Sequence, residues 1–300
     1  MKTNGGNRGW KGLLWITAAV VAVKGGWGVL TPAPAEAVAL PSSPATENIA
    51  HRGASGHAPE STLPAFRLAN RMGADWIELD VHQTRDGELA VIHDKSVNRT
   101  TNGQGAVKNL TLSQLKRLDA GSWFDATHPK QTVSYRGARI PTLEEVLLSQ
   151  GKQGRFCIEI KEGLPVGVEK QVLDTLKRHG LLPRHQPERV MIQSFDPHVL
   201  KRIRQSHPRL TLVQLIHFRE AGSLSRPGLQ QIADYADAIG YHQRRMERDD
   251  IRRAHREGLR IHAYTVNRKK KMRQLMDWGV DAICTNFPDR LRDVKRERHR

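Results

Sequence analysis

Cysteine is scarce in this 300-residue chain, which carries only Cys157 and Cys284. Cys157 lies on an apparent strand with Glu159 and Cys284 near the last strand, so the two should not be neighbours. A disulfide needs Cα atoms within about 7 Å, and two buried free thiols are expected instead. No cysteine stands near the N-terminus to carry a lipid. Long apolar runs are missing too: the stretch from Gly12 to Val23 falls short of the ~20 apolar residues of a spanning helix. Neither a serine nucleophile elbow nor a Walker-type loop occurs, which weighs against acyl transfer and against a Walker-type nucleotide site. Aromatics make up only 5% of the chain, and the basic stretch from Arg244 to Arg273 holds almost none besides Tyr264. Single-strand nucleic-acid modules interleave aromatics with basic residues, so no nucleic-acid partner is expected, and no stable protein partner either.

Acidic residues are outnumbered 31 to 48, giving a net charge of +17. The excess crowds into the 244–273 stretch and the segment from Arg290 to Arg300. Such a surface attracts anions, among them phosphate esters, acidic lipids and anionic wall polymers. At the other end, Lys2, Arg8 and Lys11 precede the short apolar run, and Ala35-Glu36-Ala37 closes it. That order reads as an export signal over 1–37. It places the mature protein outside the cytoplasm, periplasmic or extracellular, with an uncleaved N-terminal anchor as the alternative. Residues 38–47, rich in Pro, Ser and Ala, read as a linker, 48–293 as one catalytic domain, and 294–300 as a basic tail.

Within that domain short β-rich runs alternate with helical patterns. Strands are expected at Ile49–His51, Trp76–Val81, Phe156–Lys161, Val190–Phe195, Thr211–Ile216, Ala236–Tyr241, Arg260–Val266 and Ala282–Thr285. Helices are expected at Leu63–Met72, Leu143–Leu148, Val168–His179, Pro197–Ser206, Leu229–Tyr235, Arg248–Glu257 and Lys269–Trp278. Thr62 is the expected cap of the first, and Gly180, Gly258 and Gly279 fall where helices should stop. Eight strands with helices between them predict an α/β fold, a TIM (β/α)8 barrel. An open doubly wound sheet wants a Gly-rich turn after its first strand, and His51-Arg52-Gly53-Ala54-Ser55-Gly56 lacks that spacing. Thr84-Arg85-Asp86-Gly87 carries a hairpin signal, so Leu89–His93 should fold back as an extra strand. Residues 95–140 then form a lid-like insertion.

The barrel reading also gathers the chemistry, because active sites of such barrels lie at the C-terminal ends of the strands. Those ends contribute His51 and Arg52, Glu78 and Asp80, Glu159 and Lys161, and the hairpin adds His93, thirteen residues after Asp80. Charged groups so concentrated need pairing, metal or solvent. Glu78, Asp80 and Glu159 offer hard oxygen donors, which suit Ca²⁺ or Mg²⁺. Two imidazoles supply a general base and a general acid near neutral pH. Arg52 and Lys161 are placed to hold a phosphoryl oxygen. The set fits phosphodiester cleavage.

Ala50-His51-Arg52-Gly53, Ala58-Pro59-Glu60-Ser61-Thr62-Leu63-Pro64-Ala65-Phe66 and Gly73-Ala74-Asp75-Trp76-Ile77-Glu78-Leu79-Asp80-Val81 follow in order. After them come Thr84-Arg85-Asp86-Gly87, Val91-Ile92-His93-Asp94, Arg99-Thr100-Thr101-Asn102-Gly103, Ile140-Pro141-Thr142-Leu143 and Ile158-Glu159-Ile160-Lys161. Ser194-Phe195-Asp196, Tyr264-Thr265-Val266-Asn267 and Thr285-Asn286-Phe287-Pro288 complete the series. With these motifs the chain resembles the glycerophosphodiester phosphodiesterase family over nearly the whole expected mature length. The resemblance implies a TIM barrel related to phosphatidylinositol-specific phospholipases C, a divalent cation, catalytic histidines at His51 and His93, and metal carboxylates at Glu78, Asp80 and Glu159. It also implies phosphate contacts from Arg52 and Lys161, with Glu60 and Tyr264 as further substrate-binding candidates. Ser61, Tyr264 and Asn286 depart from the usual Asn, Trp and Asp, and none of the three is expected to touch the core of the site. The expected substrate is a small glycerophosphodiester, cleaved to an alcohol and sn-glycerol 3-phosphate. Lysophospholipids or polyol-phosphate wall polymers are the alternative for the same chemistry. A non-catalytic barrel docking on anionic surfaces is the remote one.

Overall fold

A computed structural model describes residues 46–182, 189–220 and 225–298, and their strands close on themselves. The strands are β1 (Glu47–Ala50), β2 (Trp76–Gln83), β3 (Leu89–Val91), β4 (Phe156–Ile160), β5 (Val190–Ser194), β6 (Thr211–Leu215), β7 (Ala238–His242), β8 (Arg260–Tyr264) and β9 (Ala282–Thr285). The helices are α1 (Leu63–Arg71), α2 (Leu112–Arg117), α3 (Ser122–Thr127), α4 (Leu143–Ser149), α5 (Val168–Arg178), α6 (Pro197–Ser206), α7 (Arg226–Ala233), α8 (Arg248–Arg256), α9 (Lys269–Trp278) and α10 (Pro288–Arg298). β1, β2 and β4 to β9 pair in parallel, and β9 returns to β1 with Ala50 opposite Thr285. That closure makes the TIM barrel and excludes an open sheet. The expected export signal and most of the expected linker lie outside the described residues.

Side chains alternate along each strand, so every barrel strand serves two environments. Outward positions such as Leu79, Ile158, Ile192 and Ile261 join the helices in the main apolar core. Inward positions near the strand starts, Ile49, Trp76, Cys157, Met191 and Ala282, fill the barrel with a second apolar layer. Two residues further on, the inward positions are Glu78, Glu159 and Gln193, which line a cavity. The apolar floor and the charged mouth thus belong to one side-chain register. Cys157 and Cys284 are both buried and free.

Local signals place the elements. Thr62 caps α1 through the Ala65 amide, and Thr142 and Glu145 form a reciprocal capping box on α4. The hairpin closes at Gly87 (φ 85), whose N–H donates to Thr84 O at 3.0 Å. β3 then runs antiparallel to β2, with Val81 opposite Val91. The insertion carries α2 and α3 and its own apolar cluster, in which Val97, Val107, Leu115 and Ile140 pack on Ala90 and Ile92. It is therefore a packed layer on the hairpin.

Two boundaries differ from expectation. Thr46 already donates to Val280 O at 3.0 Å and Glu47 begins β1, so the expected linker ends earlier. Residues 294–298, expected as basic tail, are the last turns of α10, where Leu291 and Val294 are buried. Their i, i+3 spacing is the apolar stripe of a helix, hidden in the sequence by the surrounding charge.

The turn after β1 is tight. Gly53 has φ 81, and a Cβ there would lie 2.7 Å from the Ala65 carbonyl carbon. Gly53→Ala is expected to cost about 2 kcal/mol or more, since backbone cannot yield as a side chain can. Urea unfolding of the variant measures it.

Candidate active site

Arg52 follows β1 in the left-handed region, at φ 55, a conformation that strains a residue with a Cβ. It turns the Arg52 amide onto Glu78 Oε2 at 2.7 Å. The Arg52 side chain reaches back, with Nη1 at 2.8 Å from Glu60 Oε1 and Nε at 3.7 Å from Asp80 Oδ2. Just past the end of β4, Lys161 Nζ stands 2.7 Å from both Asp80 Oδ1 and Glu159 Oε1.

Oxygens of Glu78, Asp80 and Glu159 lie within 4.8 Å of one another, and all three residues are buried. Burial, then Asp80 and Glu159 as neighbours, pushes the Glu78 carboxyl well up. Burial and Asp80 likewise push Glu159 up to about 7. Burial would raise Asp80 as well, but Lys161 and Arg52 outweigh it and hold that carboxyl below the usual range. Both Asp80 oxygens and Glu159 Oε1 accept no well-formed hydrogen bond from any described residue. Their nearest cationic neighbour is Lys161, ion-paired at 2.7 Å to Asp80 Oδ1 and to Glu159 Oε1. Three crowded carboxylates with unsatisfied oxygens and no nitrogen or sulfur donor fit a hard divalent cation.

The imidazoles are held differently. His51 Nδ1 donates to Asn286 Oδ1 at 2.7 Å, since an amide oxygen can only accept. Its Nε2 is then the unprotonated nitrogen. Burial, reinforced by Arg52, brings His51 down to about 3, so it is neutral at working pH. His93 Nδ1 donates to Asp94 Oδ1 at 2.7 Å. Arg99 clamps Asp94 with two hydrogen bonds, and that contact holds the Asp94 carboxyl well below the usual range. Burial lowers His93 too, against the pull of Asp80. A neutral amide stands behind one ring and a carboxylate behind the other.

His51, Arg52, Glu78, His93, Glu159, Lys161 and Tyr264 all line one cavity of about 230 Å³. Asp80 lies beneath, against Lys161 and Arg52. Glu60 does not line the cavity: Arg99 takes both its oxygens and Arg52 shares Oε1, so it braces Arg52. The Tyr264 hydroxyl donates to Ile216 O at 2.7 Å, and the ring forms a wall with Phe195 and His242. Asn286 corrects an expectation, because this departure from the usual Asp touches His51 itself. Ser61 has φ 55 and is buried, a backbone region that Asn tolerates better than Ser. The sequence reading also missed the Asp94–Arg99 brace, His262 on the cavity wall, and Gln193, whose Nε2 donates to Glu78 Oε1 at 3.2 Å. Gln193 was findable, because it lies two residues before Phe195 in the expected strand Val190–Phe195 and so shares its face.

Comparisons with known proteins give the chain its family. Residues 51–290 match the model of the glycerophosphoryl diester phosphodiesterase family. A glycerophosphodiester phosphodiesterase of Bacillus subtilis (strain 168) is 42% identical over 252 residues, covering 83% of this chain and 86% of that protein. One from Caldanaerobacter subterraneus subsp. tengcongensis is 36% identical over 83% of this chain and 97% of its own. Among solved structures, an Oleispira antarctica phosphodiesterase in complex with the product sn-glycerol-3-phosphate superposes with TM-score 0.71 at 26% identity. That match covers 83% of this chain and 96% of the other.

Proposed function

The chain belongs to the glycerophosphoryl diester phosphodiesterase family, and on that premise we propose how it cleaves a glycerophosphodiester to an alcohol and sn-glycerol 3-phosphate. His51 and His93 act as the acid/base pair beside a divalent cation, Ca²⁺ or Mg²⁺. The supporting observation is the convergence of both imidazoles on the cavity walled by Glu78 and Glu159. His51, neutral and with Nε2 unprotonated, takes the proton of the substrate's own neighbouring hydroxyl as that oxygen attacks phosphorus. His93, held through Nδ1 by Asp94, acts as the acid in its doubly protonated form, which Asp80 and Asp94 favour against the burial that lowers the ring, and gives its Nε2 proton to the departing alcohol oxygen. Water then opens the cyclic phosphate: His93 takes the water proton and His51 returns its own to the glycerol oxygen. Arg52 and Lys161 face the phosphoryl oxygens, and Tyr264 walls the site. When held by Glu78, Asp80 and Glu159, the cation lowers the pKa of a nearby hydroxyl and neutralises phosphoryl charge.

The test is turnover of several glycerophosphodiesters after chelation and after Ca²⁺ or Mg²⁺ is restored. Loss and recovery of activity is the expected outcome; full turnover in excess chelator contradicts the cation.

One observation favours an anionic polymer as a second substrate class. Beyond His93 the cavity meets a cleft of about 380 Å³ lined by His82, Lys95, Glu162 and His217, and then one of about 530 Å³ bearing Arg85, Lys95 and Lys108. None of these three cations is in an ion pair among the described residues. The backbone gathers them: Val107 N–H donates to Lys95 O, and Arg85 N–H to Leu110 O, both at 2.9 Å. Glu162 is engaged by His217 at 3.4 Å. A polyol-phosphate chain leaving past His93 would place its next phosphate there. The Arg85→Ala/Lys95→Ala/Lys108→Ala variant is expected to lose roughly tenfold in kcat/KM on a glycerol-phosphate oligomer, each exposed pair being worth a few-fold. Its activity on glycerophosphocholine should be unchanged.

A further inference from the structure

One polar side chain at the floor of the cavity has no partner. His262 sits in the middle of β8, 4% exposed, and neither ring nitrogen makes a hydrogen bond among the described residues. It lines the cavity together with Glu78, Glu159, Gln193 and Cys284. Its neighbours across the sheet are Gly240 on β7 and Ala282 on β9, so no polar side chain arrives from either side. Folding leaves a buried donor and acceptor unpaired only at a cost, and here the ring that carries them lines a space that a ligand can fill. We propose that His262 forms a hydroxyl-binding subsite that reads the terminal hydroxyl of the substrate's glycerol. This rests on the reading of the cavity as the glycerophosphodiester site.

The chemistry of the ring selects the ligand group. Burial, with Arg260 adding to it, brings His262 down to about 4, so the imidazole is neutral. A neutral imidazole presents one donor and one acceptor. A hydroxyl presents the same two functions, so it can donate to or accept from whichever ring nitrogen it meets. A phosphate dianion offers acceptors only and would leave the unprotonated ring nitrogen facing a like lone pair. The shape agrees: the inner cavity is small, about 230 Å³, whereas the side beyond His93 opens into the larger clefts. The variable alcohol therefore has room outward, and the invariant glycerol end goes inward to His262. The residue is not placed to move a proton in the reaction. Its effect is on which backbone is accepted.

The experiment compares glycerophosphocholine with its analogue lacking only the terminal glycerol hydroxyl, which keeps the attacking one. Wild type is expected to prefer glycerophosphocholine by at least tenfold in kcat/KM, because a site built for a hydroxyl rejects its absence. His262→Leu should lower kcat/KM on glycerophosphocholine alone and bring the two substrates within about threefold. His262→Gln, which keeps a donor and an acceptor, should retain most of the preference and guards against a folding defect in the leucine variant. Equal losses on both substrates, or an unchanged preference, would overturn the subsite. Calorimetry with sn-glycerol 3-phosphate and its deoxy counterpart asks the same question without turnover. There His262→Leu must weaken the first by about tenfold or more and spare the second. Failure of the wild type to cleave either diester would instead refute the reading of the site, while the calorimetric comparison still decides the subsite.

Discussion

Replacing either histidine by alanine is expected to reduce kcat on glycerophosphocholine by about 10²- to 10⁴-fold, the range of a positioned acid or base. The two losses should separate when the leaving group changes. With p-nitrophenol as the leaving alcohol, departure needs no proton, so His93→Ala should recover much of its activity. His51→Ala should stay impaired, because the attacking hydroxyl still has to lose its proton. The reason lies in what stands behind each ring. Asn286 fixes the His51 tautomer without charge, whereas Asp94, held by Arg99, offsets part of the burial that lowers His93 and makes its protonated form the easier of the two to reach. Both variants should fold, as circular dichroism and thermal melting can show, since both side chains are at the barrel mouth and only half-buried. Equal rescue of the two variants would contradict the division of roles, and full activity of both would remove the imidazoles from the chemistry.

How much of this was legible depends on how local each feature is. The acid cluster was readable because alternation within Trp76–Val81 and Phe156–Lys161 fixes which residues share a face, and a barrel fixes which end of a strand matters. His93 was readable through the hairpin, because the turn at Gly87 sets the register that brings β3 back along β2. Partners joined only by closure were not. His51 N–H donates to Thr285 O at 2.9 Å, and that contact of the first and last strands carries Asn286 to the His51 ring. No pattern near either residue announces it. Glu60 illustrates the same limit: its role as a brace depends on Arg99, delivered by an insertion whose packing comes from a separate apolar cluster. The final helix was hidden for a different reason, because eight charged residues around Leu291 and Val294 outweigh the apolar stripe in any average over the segment.

Glu159→Gln should act in opposite directions on function and on the stability of the cation-free protein. For function, a ligand oxygen is lost, and affinity for Ca²⁺ or Mg²⁺ should fall by at least about tenfold, as even outer partners of metal ligands cost that much. Activity should fall with it. For stability, the sign follows from the raised carboxyl. Burial and Asp80 hold Glu159 at about 7 when folded, against about 4.3 in an unfolded chain. The folded state therefore keeps a proton that the unfolded state has released between those two values. That stabilising contribution is complete below the unfolded value and is lost as pH rises through about 7, a change on the order of a few kcal/mol. In chelator, wild type should accordingly unfold more readily at pH 8 than at pH 5.5, and Glu159→Gln should lose the part of this dependence that Glu159 carries, keep the part that the raised Glu78 carries, and exceed wild type at pH 8. Added cation should restore wild type at pH 8, where all three carboxylates are asked to ionise together, and do little for the variant. Denaturant unfolding at both pH values, with chelator and with Ca²⁺ or Mg²⁺, reads all of these at once. A wild type whose stability is indifferent to the cation at pH 8 would show that Glu78, Asp80 and Glu159 relieve their repulsion through Arg52 and Lys161 alone.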